Sequence, residues 1–194
     1  MNVVAIDKLD DKDLIALYRK GDVDALDLLV QRYRRQLYGY ILKMSVSPSD
    51  ADEIFQEAWL KVIKKIRLYR HNNFLGWLIR ITHNVIIDKV RRKKPNISMD
   101  AENDEGSSLA SVLSDDGPAP ADRIQNRDLA LAIDEAVNML PDEQKEVFLL
   151  RTKMEISFKE IAKIQKTSIN TALARMQYAL NKLREPLQES YNEL

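Results

Sequence analysis

Residues 96–122, NISMDAENDEGSSLASVLSDDGPAPAD, constrain the fold more than any other stretch. They hold seven Asp and Glu, no Lys or Arg, two of the six prolines and two of the five glycines. No helical period runs through them. Such a composition buries too little apolar surface to offset chain entropy, and its like charges repel, so it reads as a flexible linker. A structureless stretch of that length is rare inside one compact domain. The chain therefore divides into residues 1–95, a linker at 96–122, and residues 123–194. Charge follows the same division. The first segment carries 19 Lys and Arg against 12 Asp and Glu, the linker none against seven, and the last segment 11 of each. The zero net charge of the whole chain hides this asymmetry, which implies different partners for different segments.

Both flanking segments read as all-α. The first predicts about four helices. One covers 11–20 and stops at Gly21. A second runs from Asp24 to about Met44, with Ala25, Leu28, Leu29, Tyr33, Leu37, Tyr40 and Ile41 on one stripe. Ser49 is expected to open a third, whose apolar face is Ile54, Phe55, Ala58, Trp59, Val62, Ile63 and Ile66. A polar connection over 68–73 leads to a fourth, from Phe74 through Trp77, Leu78, Ile81, Val85, Ile86 and Val90 into Arg91-Arg92-Lys93-Lys94. Pro95 ends it. The last segment predicts a helix over 123–140 and another from Pro141 to about Lys153, with Pro141 at its first position.

Residues 157–183, SFKEIAKIQKTSINTALARMQYALNKL, form two helices around a sharp corner. Ser157 and Glu160 make a capping box that starts the first. Thr167 or Ser168 caps the second, on which Ile169, Ala172, Leu173, Met176, Ala179, Leu180 and Leu183 form an apolar stripe. Asn170, Thr171, Ala174, Arg175, Tyr178, Asn181 and Lys182 lie opposite. This is a helix-turn-helix pattern, whose second helix can enter a DNA major groove. An ordinary helical hairpin in an all-α core is the alternative. Lys166 falls where such turns often carry glycine; a left-handed backbone there would cost about 1 kcal/mol.

Several chemistries find no support. The absence of cysteine removes disulfides, thiolate zinc sites and thiol nucleophiles. No glycine run cradles phosphate. His71 and His83 have no metal-ligand partners at useful spacing, so no metal and no cofactor are expected. No nucleophile–base pair supports an enzyme. No run is long and apolar enough to span a bilayer, and the N-terminus lacks the features of a signal peptide, so a cytoplasmic location is expected.

Three stretches, DADEIFQEAWLKVIKKI, FLGWLIRITHNVIIDKVRRKK and LPDEQKEVFLLRTKMEISFKEIAKI, occur in that order. Together they resemble bacterial RNA polymerase sigma factors of the small extracytoplasmic-function (ECF) type. The resemblance matches 1–95 to sigma region 2, which docks on core polymerase and reads the −10 promoter element. It matches 123–194 to sigma region 4, which reads the −35 element. In the family, the helix matching 49–66 docks on the polymerase clamp, so Asp52, Glu53, Gln56 and Glu57 are the implied docking residues. The loop 67–73 matches the one that captures a flipped −10 base, implying Arg67, Tyr69 and Asn72. The helix after it implies Arg80, His83, Asn84, Lys89, Arg91, Arg92, Lys93 and Lys94 as −10 contacts. For the −35 element the implied residues are Lys166, Ser168, Asn170, Thr171, Ala174, Arg175, Tyr178 and Lys182. Leu173 stands where members often carry lysine, which leaves Arg175 and Lys182 as the cations of that helix. Trp59 and Trp77 read as core.

The implied partners are core polymerase, promoter DNA and, as is common in the family, an anti-sigma factor held between the domains. Polymerization chemistry belongs to the core enzyme, so no catalytic residue is implied. Two other functions compete: a sigma-like decoy that binds an anti-sigma factor without DNA, and a stand-alone helix-turn-helix regulator that needs no polymerase-docking face.

Overall fold

The computed structural model describes residues 9–45, 47–70, 73–93 and 131–192, and among them every regular element is helical. The chain forms two compact units, Met1–Ser98 and Met99–Leu194. The linker 96–122, with Asn72 and Lys94, lies outside the described residues. No described helix is long and apolar enough to cross a membrane.

In the first unit, α1 (Asp11–Arg19) starts where the Asp10 side chain accepts the Asp13 N–H at 2.9 Å. It ends in a Schellman turn: Asp22 N–H reaches Leu17 O at 3.1 Å, and Gly21 N–H reaches Tyr18 O at 3.0 Å. Gly21 sits at φ 103°, which an L side chain rarely adopts. Helix α2 (Asp24–Met44) follows its expected stripe, with Ala25, Leu29, Leu37, Tyr40 and Ile41 buried.

Helix α3 (Pro48–Lys65) begins earlier than the sequence suggested. Ser47, not Ser49, is the cap, accepting the Asp50 N–H at 3.3 Å, and Pro48 occupies the first turn, where its missing donor costs nothing. A short 3₁₀ turn, Ile66–Leu68, follows. Helix α4 (Phe74–Lys93) is capped by Asn73, whose Oδ1 accepts the Gly76 N–H at 2.9 Å. A Cβ on Gly76 would lie 2.6 Å from the Asn73 side-chain nitrogen, so any other residue there would push the Asn73 amide from its capping position. Leu78, Ile79, Thr82, Val85 and Ile86 are all buried because α4 packs against both α2 and α3. A single-stripe reading missed Ile79 and Thr82, since a helix covered on several sides is apolar beyond one face.

In the second unit, α5 spans residues 131–138. Helix α6 (Asp142–Thr152) begins one residue later than expected, with Pro141 as its cap rather than its first residue. Helix α7 (Phe158–Ile164) starts at Ser157, whose hydroxyl accepts the Glu160 N–H at 3.3 Å. Helix α8 (Ile169–Asn192) starts at Ser168, whose hydroxyl accepts the Thr171 N–H at 3.0 Å. Val147, Leu150, Ile161, Ile164, Ala172, Ala179 and Leu183 form the core beneath this corner.

Candidate nucleic-acid and polymerase interfaces

The corner between α7 and α8 is closed by a second Schellman-type bond, Thr167 N–H to Ala162 O at 2.9 Å. It places Lys166 at φ 53°, so the left-handed geometry conditional on the sequence is present, at a cost of about 1 kcal/mol relative to glycine. Beyond the corner, the face opposite the buried stripe is open. Lys166, Ser168, Asn170, Ala174, Tyr178 and Lys182 are exposed and Thr171 is half-buried. The buried stripe is narrower than the sequence implied: Ile169, Leu173 and Leu180 are 44–46% exposed. The helix also continues past the expected stripe, adding Arg184 as an exposed cation beside Lys182.

Arg175 is where the structure departs most from the sequence reading. Its Nη1 donates to Gln165 Oε1 at 2.7 Å, and its Nη2 lies 3.6 Å from a Glu143 carboxylate oxygen. Gln165 in turn donates to the buried Glu146 carboxylate at 2.8 Å and to Glu143 O at 3.0 Å. Arg175 thus braces α8 against α6 and α7, and is not a free side chain waiting for a base. Its partners are 10 and 32 positions away in sequence, so helical spacing on α8 gave no sign of them.

In the first unit, Arg67, Arg91 and Arg92 are exposed, while Arg80, His83 and Asn84 are half-buried. Asn84 lies back along its helix, its side-chain nitrogen donating to Arg80 O at 2.7 Å. Arg91 is 3.4 Å from Asp88. Lys93 continues α4 to its end.

Two of the residues that the resemblance implies as DNA contacts, Lys89 and Tyr69, are engaged within the unit. Lys89 pairs with Asp50 at 3.1 Å and also with Glu53. Burial pushes its ammonium toward the neutral form, but the hydrogen bonds it donates to the Glu53 and Asp50 carboxylates outweigh that and hold its pKa above the ordinary lysine value. Asp50 is only 4% exposed and also accepts the Ser47 hydroxyl at 2.8 Å. Lys89 therefore fastens the C-terminal half of α4 to the start of α3.

Tyr69 is likewise buried, 6% exposed, rather than displayed for stacking. Its ring centroid lies 4.9 Å from Trp77 and 5.8 Å from Phe74, which also meets Tyr33 at 5.4 Å. Trp59 and Trp77 are buried as expected. The exposed side chains on either side of Tyr69 are Arg67, Leu68 and Arg70, with Leu68 at 76%.

This aromatic cluster sets an alkaline limit. Burial, then the charge of Asp11, pushes the Tyr69 phenol up to about 12, and Tyr33 is raised as well by burial and its hydrogen bond to Asp11. A raised folded pKa means the folded state holds its protons longer. The associated stability is complete below the unfolded value of 10.0 and is lost as pH rises toward 12. Tyr69→Phe keeps the ring and is expected to flatten part of that decline. Both tryptophans lie in this unit, so urea unfolding followed by their fluorescence at successive alkaline pH values reads it. An unchanged slope would reject the assignment.

The implied docking residues lie along α3. Asp52, Glu53 and Gln56 are exposed and Glu57 is half-buried. The Tyr38 hydroxyl donates to Asp52 at 2.8 Å, which raises the Tyr38 pKa chiefly through that bond. Glu57 pairs with Lys61 at 2.8 Å. Glu53 faces Lys89, so part of its charge is already answered within the unit. Leu60, 56% exposed, and Ile63, 37% exposed, continue the same surface, although Ile63 had been expected in the core.

Residues 29–95 match the family model Sigma-70 region 2, and residues 130–183 match Sigma-70, region 4. The chain is 32% identical to the ECF RNA polymerase sigma factor SigW of Bacillus subtilis, over 92% of this chain and 97% of that protein. It is 28% identical to the ECF RNA polymerase sigma-E factor of Haemophilus influenzae, over 94% and 97% respectively. Its fold is similar to the sigma factor RpoE of Bartonella quintana, solved with the anti-sigma factor NepR. The TM-score is 0.67 at 20% identity, covering 84% of this chain and 96% of that one. CnrH, solved with the cytosolic domain of CnrY, gives 0.63 at 19% identity over 92% and 97%.

Proposed function

We propose that this chain, which belongs to the ECF RNA polymerase sigma factors, binds core polymerase and directs promoter-specific initiation by reading −10 and −35 elements. The match of both sigma regions, in order and nearly end to end with a relative of that name, carries the reading. In it, residues 1–95 dock on core polymerase and read the −10 element, 96–122 tether, and 123–194 read the −35 element. The tether raises the effective concentration of one reader once the other is bound, which offsets a reading helix with few free cations. An anti-sigma factor is the further partner, in keeping with the complexes in which RpoE and CnrH were solved. The protein works in the cytoplasm, without catalysis of its own.

On the docking side, Asp52, Gln56 and Glu57 form the polar part of the polymerase surface, and Leu60 supplies exposed apolar area beside it. On the −10 side, Arg67, Arg80, His83, Arg91 and Arg92 supply cations and polar groups toward the strand, joined by Asn72, Lys93 and Lys94. On the −35 side, Asn170, Thr171, Ala174 and Tyr178 face the groove from the first turns of α8.

The decoy alternative has no need of the exposed Arg91 and Arg92 at the end of α4, and a stand-alone regulator has no need of a docking face. Co-purification with core polymerase, followed by run-off transcription from promoters selected out of a randomized library, separates the three. Core binding with promoter-specific transcripts is the expected result. Core binding without specific transcripts, or DNA binding without core, would overturn the reading.

A further inference from the structure

The loop after α3 carries the base-capture role in the reading above, yet its best-placed aromatic, Tyr69, is buried. What holds that loop comes from a distant part of the chain. The Nη2 of Arg19, the last residue of α1, donates to Ile66 O at 3.0 Å and also to Tyr69 O, 47 and 50 positions away. These two carbonyls bracket the 3₁₀ turn Ile66–Leu68, one at its start and the other just past its end. The same bend is closed by Tyr69 N–H to Ile66 O at 3.2 Å. A guanidinium is always charged and rigidly planar, so one of its nitrogens can bridge two carbonyl oxygens with little loss of freedom. Its positive charge also suits the exposed carbonyls where a helix ends. On the other side, the Tyr69 ring is packed on Phe74 and Trp77. The backbone at Tyr69 is thus fixed from two directions, and Arg67, Leu68 and Arg70 project from the fixed segment.

We propose that Arg19 is a positioning residue for −10 recognition: it sets the geometry of the base-capturing loop without touching DNA. The inference rests on the reading that this loop captures a −10 base. It differs from a general stabilising role because the two carbonyls it bridges belong to that loop and its entry turn, so losing the bridge changes where the loop points before it changes whether the unit folds.

The test uses full-length protein reconstituted with core polymerase and a promoter library randomized across the −10 element. Arg19→Ala is expected to weaken the preference at one −10 position by roughly tenfold, the scale of a lost charge-assisted hydrogen bond, while core affinity and the −35 profile stay as in the parent. Arg19→Lys keeps the charge, but its side chain is one bond shorter and lacks the rigid planar fork, so it is expected to hold the two carbonyls less firmly, to fold like the parent and still to blur the same position. A paired variant of the loop itself, Arg70→Ala with Asn72→Ala, shows whether the loop reads a base at all. If the loop variant shifts the −10 profile and Arg19→Ala does not, the positioning role is wrong and the base-capture reading stands. A uniform fall in activity at every −10 sequence makes Arg19 a stabilising residue only, and overturns the proposal. If the loop variant leaves the −10 profile unchanged, the base-capture reading fails and the proposal falls with it.

Discussion

Replacing Lys89 with alanine is expected to destabilise the first unit by about 3 kcal/mol, because it takes a cation away from a nearly buried carboxylate. Asp50 is 4% exposed and pairs with Lys89 at 3.1 Å, so the change removes a cation from a carboxylate in a low-dielectric setting. The Ser47 hydroxyl, which already bonds Asp50, offsets part of the loss and keeps the figure at the low end of the range for broken buried pairs. Changing Asp50 to Asn in the Lys89→Ala background removes that carboxylate charge and should recover a large share of the stability. Urea unfolding followed by tryptophan fluorescence measures both steps. If Lys89 were instead a DNA contact, the single change would leave unfolding untouched and weaken promoter binding by an increment that shrinks with salt. That outcome would refute the structural role.

The second large effect is expected on polymerase binding. Reversing Asp52 and Glu57 to lysine should lower core affinity by roughly two orders of magnitude, about 3 kcal/mol, if these carboxylates meet cations in a desolvated contact. The two sites do not stand alone in the free protein. Asp52 accepts the Tyr38 hydroxyl at 2.8 Å, and Glu57 pairs with Lys61 at 2.8 Å. Neither interaction is large, since both are near the surface. Tyr38→Phe therefore serves as the control: it removes the hydroxyl bond, keeps the carboxylate, and is expected to leave core affinity within a factor of about three. Competition binding to labelled core enzyme compares the variants, with helical circular dichroism confirming that each is folded. Unchanged affinity in a folded double reversal would place the docking surface elsewhere on the unit.

The division into two helical units, the order of helices and most of the core were legible in the sequence, because they depend on composition and on periodicities local to each segment. Leu29, Leu37 and Ile41, or Ile161 and Ile164, are buried because a 3.6-residue repeat leaves them no other side on which to lie. The corner at Lys166 was legible for the same reason, since its strain follows from a turn too short to avoid a left-handed residue. What local spacing could not decide is which polar side chains stay free. Arg175, Lys89 and Tyr69 occupy outward or polar positions in their own segments, yet Gln165 and Glu143, Asp50 and Glu53, and Phe74 and Trp77 claim them. Conversely, Ile63, Leu173 and Leu180 sit on apolar stripes and remain partly exposed, because among the described residues no neighbouring helix covers the edge of the stripe that holds them. A side chain's partner depends on how helices cross, and crossing angles are set by packing across the whole unit rather than by any one helix. The sequence thus determined the elements and their apolar faces, while the tertiary structure alone decided which charges are available to a partner.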